Sequence, residues 1–190
     1  MESAPNLILV GPMGSGKSSI GKRLAERFRL AFADADREIE TRTGASVGTI
    51  FECVGEAGFC AREHAVLAEL LAAEAMVIAT GGGAVLDPRT RQLLRERGFV
   101  VHLHVGIAQQ LARLARDRSR PLLAGEDREG TLQKLATIRD PLYAEVADLR
   151  FDTDMLSATE TAAKLGHLLD AQWQPGASAT SPPVSRGADT

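Results

Sequence analysis

Short apolar runs alternate with segments of helical periodicity along most of the chain. A strand buried in a parallel sheet is apolar at nearly every position, because helices cover both faces of the sheet. Such runs occur at residues 6–10 (NLILV), 31–34 (AFAD), 76–80 (MVIAT) and 99–105 (FVVHLHV), with a weaker one at 149–153 (LRFDT). Strands that alternate with helices predict an α/β fold with right-handed crossovers and a parallel sheet covered on both faces.

The intervening segments carry apolar residues at the spacing of one helix face. They predict helices at roughly 17–29, 36–43, 59–73, 88–97, 106–116, 127–145 and 158–170. From Gln174 onward the chain is rich in Pro, Gly, Ser and Thr and shows no periodicity. Such a segment offers little to bury, so we expect one domain over 1–173 and a disordered tail over 174–190.

Composition narrows the range of partners and compartments. With 190 residues, of which 44% are hydrophobic, the chain can bury one sizeable core. A net charge of −3 gives no basic field that would attract nucleic acid. No apolar run reaches 18 residues and the N-terminus lacks the pattern of a secretion signal, so we expect a cytoplasmic protein without membrane contact. Cys53 and Cys60 match no zinc spacing and should be free thiols.

The first predicted strand runs into GPMGSGKSS at 11–19, which fits the phosphate-loop pattern through Gly11, Gly16, Lys17 and Ser18. Glycines let backbone N–H groups turn toward phosphate oxygens, and the following helix adds its positive end. The lysine would reach the β- and γ-phosphates and the serine hydroxyl would bind Mg²⁺. No guanine-reading N-K-x-D-like segment follows, and the chain is too short for a motor ATPase. The pattern therefore predicts a nucleoside triphosphate site.

Two further motifs lie where predicted strands end, at the edge of the sheet where open parallel sheets bind ligands. Asp34 and Asp36 (DAD) could hold a metal-bound water, bind a diol or accept a proton, or they could only cap a helix. Gly81, Gly82 and Gly83 expose bare backbone to which a small polar ligand could come close, or form a flexible loop without a ligand.

A polar stretch at 115–127 (ARDRSRPLLAGED) carries Arg116, Arg118 and Arg120 between two helical segments. It could close as a lid over phosphate charge and exclude water. The alternative is a solvated basic loop.

Taken together, the motifs GPMGSGKSS, DAD, GEAGF..RE, ATGGG, RPLL and RDPLY resemble the shikimate kinase family in order and spacing over about residues 6–170. The resemblance implies ATP-dependent phosphorylation of the 3-hydroxyl of shikimate, in the biosynthesis of aromatic amino acids. It also implies a nucleoside-monophosphate-kinase-like fold with a five-stranded parallel sheet, a mobile lid at about 115–127 and a helical substrate-binding insert at about 35–63. Mg²⁺ would be the cofactor and the protein a monomer.

The resemblance assigns roles to individual residues. Those expected in catalysis are Lys17, Asp36 and Arg120. Those expected to bind ATP are Gly14, Ser15, Gly16, Lys17, Ser18, Ser19, Arg113 beside the adenine, and Arg120. Those expected at the acceptor are Asp36, Cys60, Gly81, Gly82, Gly83 and Arg139, the last on the shikimate carboxylate. Those expected near magnesium are Ser18 and, in an outer position, Asp34.

Cys60 departs from the family pattern, which has an arginine directly after this phenylalanine. A thiol supplies neither positive charge nor a forked donor for a carboxylate. Arg62 is an imperfect substitute, because two residues along a helix face nearly opposite directions. No histidine lies at a spacing that would activate the thiol, so we interpret Cys60 as a small packing residue rather than a nucleophile.

Two alternatives remain at the level of sequence. A gluconate-kinase-like enzyme would use the same phosphate loop with another polyol acid. A kinase-like regulatory module would keep ATP but lose turnover, which the missing arginine at Cys60 favours.

Overall fold

The computed structural model describes residues 2–115, 117 and 121–175. Its strands are β1 Glu2–Ala4, β2 Asn6–Val10, β3 Ala31–Asp34, β4 Met76–Ala79, β5 Gly98–His104, β6 Leu149–Asp152 and β7 Trp173–Pro175. Five of them form a parallel sheet in the order β3-β4-β2-β5-β6. The predicted α/β fold with a five-stranded parallel sheet is confirmed, and each of the five apolar runs is a strand to within one residue at either end.

The central strand β2 divides the core between the two faces of the sheet. All five of its residues are buried. Leu7 and Leu9 contact one apolar cluster with α1 and α7, whereas Ile8 and Val10 contact a second cluster with residues of α3, α4 and α6. Alternate residues of a strand point to opposite faces, so a continuous apolar run serves both layers of helices.

The helices are α1 Lys17–Phe28, α2 Ala35–Thr43, α3 Val47–Leu70, α4 Pro88–Arg97, α5 Ile107–Leu114, α6 Arg128–Val146 and α7 Ala158–Gln172. Six of them agree with the periodic segments to within two residues. The exception is α3, which begins twelve residues before the predicted start at 59. Its first part lacks a clear apolar stripe, and Gly55 interrupts it with φ 69° and ψ −179°. The predicted insert at 35–63 therefore consists of α2 and the first two-thirds of this kinked helix.

The two ends of the described chain meet in a separate pair of parallel strands, β1 and β7, which the sequence did not predict. Trp173 is buried, its Nε1 donates to the Ala4 carbonyl oxygen at 3.1 Å, and its ring packs edge-on against Phe28. Gln174 and Pro175 pair with Ser3 and Ala4, so the domain extends two residues into the predicted tail. Residues 176–190 of that tail lie outside the described residues.

Part of the predicted lid at 115–127 is described. Pro121–Leu123 form a short 3₁₀ helix, and Leu123 is buried against Leu114 and Leu132. Arg116, Arg118 and Arg120 lie outside the described residues.

Candidate active site

The chain leaves β2 through a loop that leads to the start of α1. Gly11, Gly14 and Gly16 in this loop have φ values of 146°, 78° and 89°, which residues with a side chain rarely adopt. Gly16 caps α1 without a side-chain hydrogen bond. The amides of the first helical turn are therefore not occupied by a capping side chain and can receive an anion.

Lys17 begins α1 and folds its ammonium group back over the loop. Nζ donates to the carbonyl oxygens of Gly11 at 2.7 Å and Pro12 at 2.9 Å. It also lies 3.5 Å from Oγ of Ser15, which is buried. These contacts hold a positive charge beside the phosphate loop, while Ser15 supports the loop from within.

Ser18 and Asp34 come from α1 and β3 and meet at the edge of the sheet. The Ser18 hydroxyl donates to Asp34 Oδ2, and Asp34 Oδ1 accepts from the Arg37 amide at 3.3 Å, which caps α2. Capping and contact with Ser18 therefore coexist. A hydroxyl and a carboxylate are oxygen ligands of the kind that Mg²⁺ prefers. Since no cluster of three or more His, Cys, Asp or Glu side chains that could bind metal occurs in the described part of the chain, phosphate and water would have to complete the coordination.

Two adjoining cavities occupy this edge of the sheet. The first, over the phosphate loop, is lined by Met13, Gly14, Gly16, Lys17, Ser18, Ser19, Asp34, Asp36, Thr80, Gly82 and Leu114. The second is lined by Met13, Asp36, Val47, Phe51, Glu56, Phe59, Cys60, Gly81, Gly82, Gly83, Leu122 and Arg139. Met13, Asp36 and Gly82 line both. A group bound in one cavity can thus meet a group bound in the other beside the Asp36 carboxylate.

The three-glycine turn after β4 forms one wall of the second cavity. A Cβ atom at Gly82 would lie 3.5 Å from Arg139 Nη1, and one at Gly83 would lie 3.7 Å from Nη2. Tyr143 donates from its hydroxyl to the Gly82 carbonyl oxygen at 2.5 Å and fixes the turn against α6. Burial raises the pKa of this hydroxyl, so it remains a donor. Bare backbone and a buried guanidinium therefore face the same space.

Gly81 lies where no side chain could fit. A Cβ atom there would collide with Glu63 Oε1 and would lie 2.8 Å from Asp36 Oδ1. Instead, the Gly81 amide donates to Glu63 Oε1 at 2.9 Å. Glu63 is 1% exposed. Burial and then the neighbouring Asp36 raise its pKa, the Gly81 amide, Arg139 and Lys17 act in the opposite direction, and the resulting pKa is about 8.

Glu63 is a site residue for which sequence reasoning gave no role. It was visible as the final residue of GEAGF..RE, but a glutamate on a helix usually faces solvent. A signal was available, because this glutamate is followed by the apolar positions Val66 and Leu67 on the buried side of α3.

Comparison with known proteins places this site in a family. Residues 13–170 match the family model for shikimate kinase. The shikimate kinase of Stenotrophomonas maltophilia strain R551-3 is 55% identical over 174 residues, which cover 92% of this chain and 97% of the relative. The chain belongs to the shikimate kinase family.

Solved structures agree with this assignment. A shikimate kinase from Acinetobacter baumannii in complex with shikimate aligns with a TM-score of 0.86 and 46% identity over 89% of this chain and 94% of that one. A shikimate kinase from Bacteroides thetaiotaomicron aligns with a TM-score of 0.80 and 33% identity over 87% of this chain and 98% of that one. The resemblance that the motifs indicated is confirmed, and with it an ATP-dependent kinase that phosphorylates an alcohol group.

Among the residues expected at the acceptor of a shikimate kinase, Cys60 is the unusual one. It lines the second cavity and is half-buried. Burial, Glu63 and Glu56 raise the pKa of its thiol, which therefore stays neutral. Arg62 does not replace the missing arginine, because its guanidinium is exposed and donates to the Gly58 carbonyl oxygen at 3.2 Å.

The guanidinium of Arg113 is bound to the loop after β6. Nη1 donates to Thr153 Oγ1 and to the Gly14 carbonyl oxygen, each at 3.0 Å, and Nη2 donates to the Thr153 carbonyl oxygen at 2.6 Å. It therefore lies against the phosphate loop and is not among the residues that line the acceptor cavity.

None of the helices within the described residues combines the length and apolar character that crossing a bilayer requires.

Proposed function

We propose that this protein transfers the γ-phosphoryl group of MgATP to the 3-hydroxyl of shikimate, with Asp36 at the point of transfer. The observation that supports this most strongly is that Asp36 lines both cavities, one built on the phosphate loop and the other on Arg139. In-line transfer requires the acceptor oxygen and the γ-phosphorus to meet between two such sites. Membership of the shikimate kinase family favours shikimate over the polyol acids of a gluconate kinase.

Different residues would serve the acceptor hydroxyl and the transferring phosphoryl group. Asp36 would orient the acceptor hydroxyl and accept its proton. Lys17 would move from its carbonyl partners to the transferring phosphoryl group and neutralise the charge that develops there. Arg120 would add a second positive charge from the lid, a role that rests on the family resemblance alone.

Gly14, Gly16 and the start of α1 would bind the phosphates through backbone amides, with Ser19 at the rim of the cavity. Ser18 would bind Mg²⁺, with Asp34 behind it as hydrogen-bond partner. When bound there, the ion would offset the negative charge of the phosphates. Arg113 would lie beside the adenine.

The acceptor carboxylate would bind Arg139, which is buried and faces Gly82 and Gly83. A charge-assisted hydrogen bond to a buried guanidinium is strong and directional. Cys60 would contribute shape but no charge at this end of the pocket. We also propose that the protein works in the cytoplasm, as a monomer and without a nucleic-acid partner, in aromatic amino-acid biosynthesis.

The test is a coupled assay of ADP formation with ATP, Mg²⁺ and a panel of acceptors that includes shikimate and gluconate. We expect turnover with shikimate, and we expect Lys17→Ala to lower kcat by about 100-fold or more. Lys22→Ala, which changes an exposed lysine of the same helix, should leave kcat unchanged. Turnover with gluconate but not shikimate would contradict the substrate assignment. ATP binding without turnover on any acceptor would support a regulatory module instead.

A further inference from the structure

The acceptor pocket contains a carboxylate that faces its guanidinium. Glu56 Oε1 lies 3.6 Å from Arg139 Nη2. Among the described residues that line this pocket, Arg139 is the only cation, whereas Glu56 and Asp36 are both acidic. A substrate carboxylate that enters must therefore approach Arg139 past a group of its own charge.

The two partners differ in their access to water. The Arg139 side chain is 6% exposed and that of Glu56 is 52% exposed. A buried guanidinium needs a counter-charge, because leaving it unpaired in a low-dielectric site is costly. Glu56 can leave this contact for water when another carboxylate takes its place, since Glu56 itself is half exposed and a separation of 3.6 Å is longer than a direct hydrogen bond. The contact is thus strong enough to favour Glu56 near Arg139 and weak enough to be exchanged.

The kink in α3 determines which residue occupies this place. Gly55 breaks the helix, and Glu56 is the first residue of the second segment. That segment is anchored by Phe59, which is buried against Phe51 with ring centroids 4.7 Å apart. Glu56 therefore stands at the mouth of the pocket on a fixed piece of helix.

Cys60 lies one helical turn after Glu56 in the same pocket. Positions i and i+4 of a helix are neighbours, and a cation at i+4 would attract a glutamate at i. A neutral thiol cannot do so. Arg139 is then the cation toward which Glu56 is drawn within this pocket.

We propose that Glu56 competes with the acceptor carboxylate for Arg139, and that it thereby sets the affinity and the charge selectivity of the acceptor pocket. Before the acceptor binds, Glu56 supplies the counter-charge of Arg139. When shikimate binds, its carboxylate replaces Glu56, which moves into water. The proposal rests on the assignment of Arg139 to the acceptor carboxylate under the proposed function.

Glu56→Gln removes the charge and keeps the shape. We expect its dissociation constant for shikimate, measured by titration calorimetry, and its KM for shikimate to fall about 3- to 10-fold. The KM for ATP should stay the same, and kcat should change by less than about twofold, because the reacting hydroxyl lies at the Asp36 end. Glu52→Gln is the matched control, since this glutamate is exposed one turn earlier on the same helix and outside the pocket lining. A Glu56→Gln variant that binds shikimate as the wild type does, or more weakly, would overturn the proposal.

Two further measurements separate competition from a merely structural effect. The methyl ester of shikimate carries no charge, so Glu56→Gln should leave its binding unchanged. Cys60→Arg offers Glu56 a partner at i+4, so in that background Glu56→Gln should improve shikimate binding by less than about twofold. An equal gain with the ester, or an undiminished gain beside Cys60→Arg, would contradict the proposal.

Failure of the proposal for Glu56 can be distinguished from failure of the proposed function. Absence of turnover with shikimate in the wild type would reject the kinase activity, while the calorimetric comparison would still decide the role of Glu56. Unchanged shikimate binding in Arg139→Ala would instead reject the carboxylate site itself, and with it this proposal.

Discussion

At the residue scale, Glu63 connects the acceptor pocket to the stability of the fold. Its carboxyl group is buried between the Gly81 amide and Asp36. Burial beside another acid favours the protonated form, and the pKa rises to about 8. In the unfolded chain the same group titrates near its ordinary value of 4.5. Between these two values the folded protein binds a proton that the unfolded protein has released.

This difference fixes the sign of a pH effect. A raised pKa in the folded state stabilises the fold most fully below the unfolded pKa, and the contribution is lost as pH rises through about 8. We therefore expect the free energy of unfolding to fall between pH 6 and pH 9. In Glu63→Gln the fall should be smaller by on the order of 1–3 kcal/mol. Urea unfolding of both proteins at several pH values between 6 and 9 measures this free energy.

Glu74→Gln serves as the control for this experiment, because Glu74 is exposed. Its pH profile should match that of the wild type. If Glu63→Gln keeps the full slope, another group carries the pH dependence and the carboxyl of Glu63 is ionised throughout.

At the scale of one element, α3 depends on a backbone conformation that only glycine adopts readily. Gly55 combines φ 69° with ψ −179°, a region nearly restricted to glycine. A Cβ atom at Gly55 would have no other atom within 4 Å. Any cost of a side chain here therefore comes from the backbone rather than from packing.

Gly55→Ala should lower the free energy of unfolding by about 1–3 kcal/mol and raise the KM for shikimate, because Phe59 and Cys60, which line the acceptor pocket, would shift with the second segment of α3. Gly44→Ala is the comparison, since Gly44 at the end of α2 is equally open but has φ 66° and ψ 13°. There the cost should be about 1 kcal/mol, with no change in KM. Chemical denaturation and acceptor kinetics test both variants. Equal effects on KM would show that the kink does not position the pocket.

At the scale of the whole molecule, the pairing of β1 with β7 joins the start of the chain to the end of α7. Trp173 is the large buried side chain of this contact, packed against Phe28 and hydrogen-bonded to the Ala4 carbonyl group. The strands themselves are only three residues each. Side-chain burial, rather than the strand pairing, should therefore carry the stability.

Removal of residues 173–190 should lower the free energy of unfolding by about 3 kcal/mol or more, the usual loss for a large buried aromatic side chain. Removal of 176–190 alone should leave the melting temperature unchanged, because that segment is rich in Pro, Gly, Ser and Thr and has little to bury. Differential scanning calorimetry of both deletion variants and of the full chain compares their stabilities. An equal loss in the shorter deletion would show that the last fifteen residues stabilise the domain.

The sequence by itself determined the layered fold and the phosphate loop. Continuous apolar runs such as NLILV occur where a strand is covered on both faces, and β2 is buried along its whole length. The glycines of the loop were also recognisable, because their positive φ values follow from the need to turn backbone amides toward one point. In both cases the physical requirement lies within a few consecutive residues.

Only the tertiary structure decided which distant residues meet. Gly81 and Glu63 are eighteen positions apart, and their contact depends on β4 ending beside α3. Glu56 follows the break in α3 and lies 3.6 Å from Arg139 of α6, and Trp173 bonds to Ala4 across almost the entire chain. Patterns of apolar and polar residues report which face of an element is buried, but they do not report against which partner. The charges that face the acceptor are therefore a property of the folded chain.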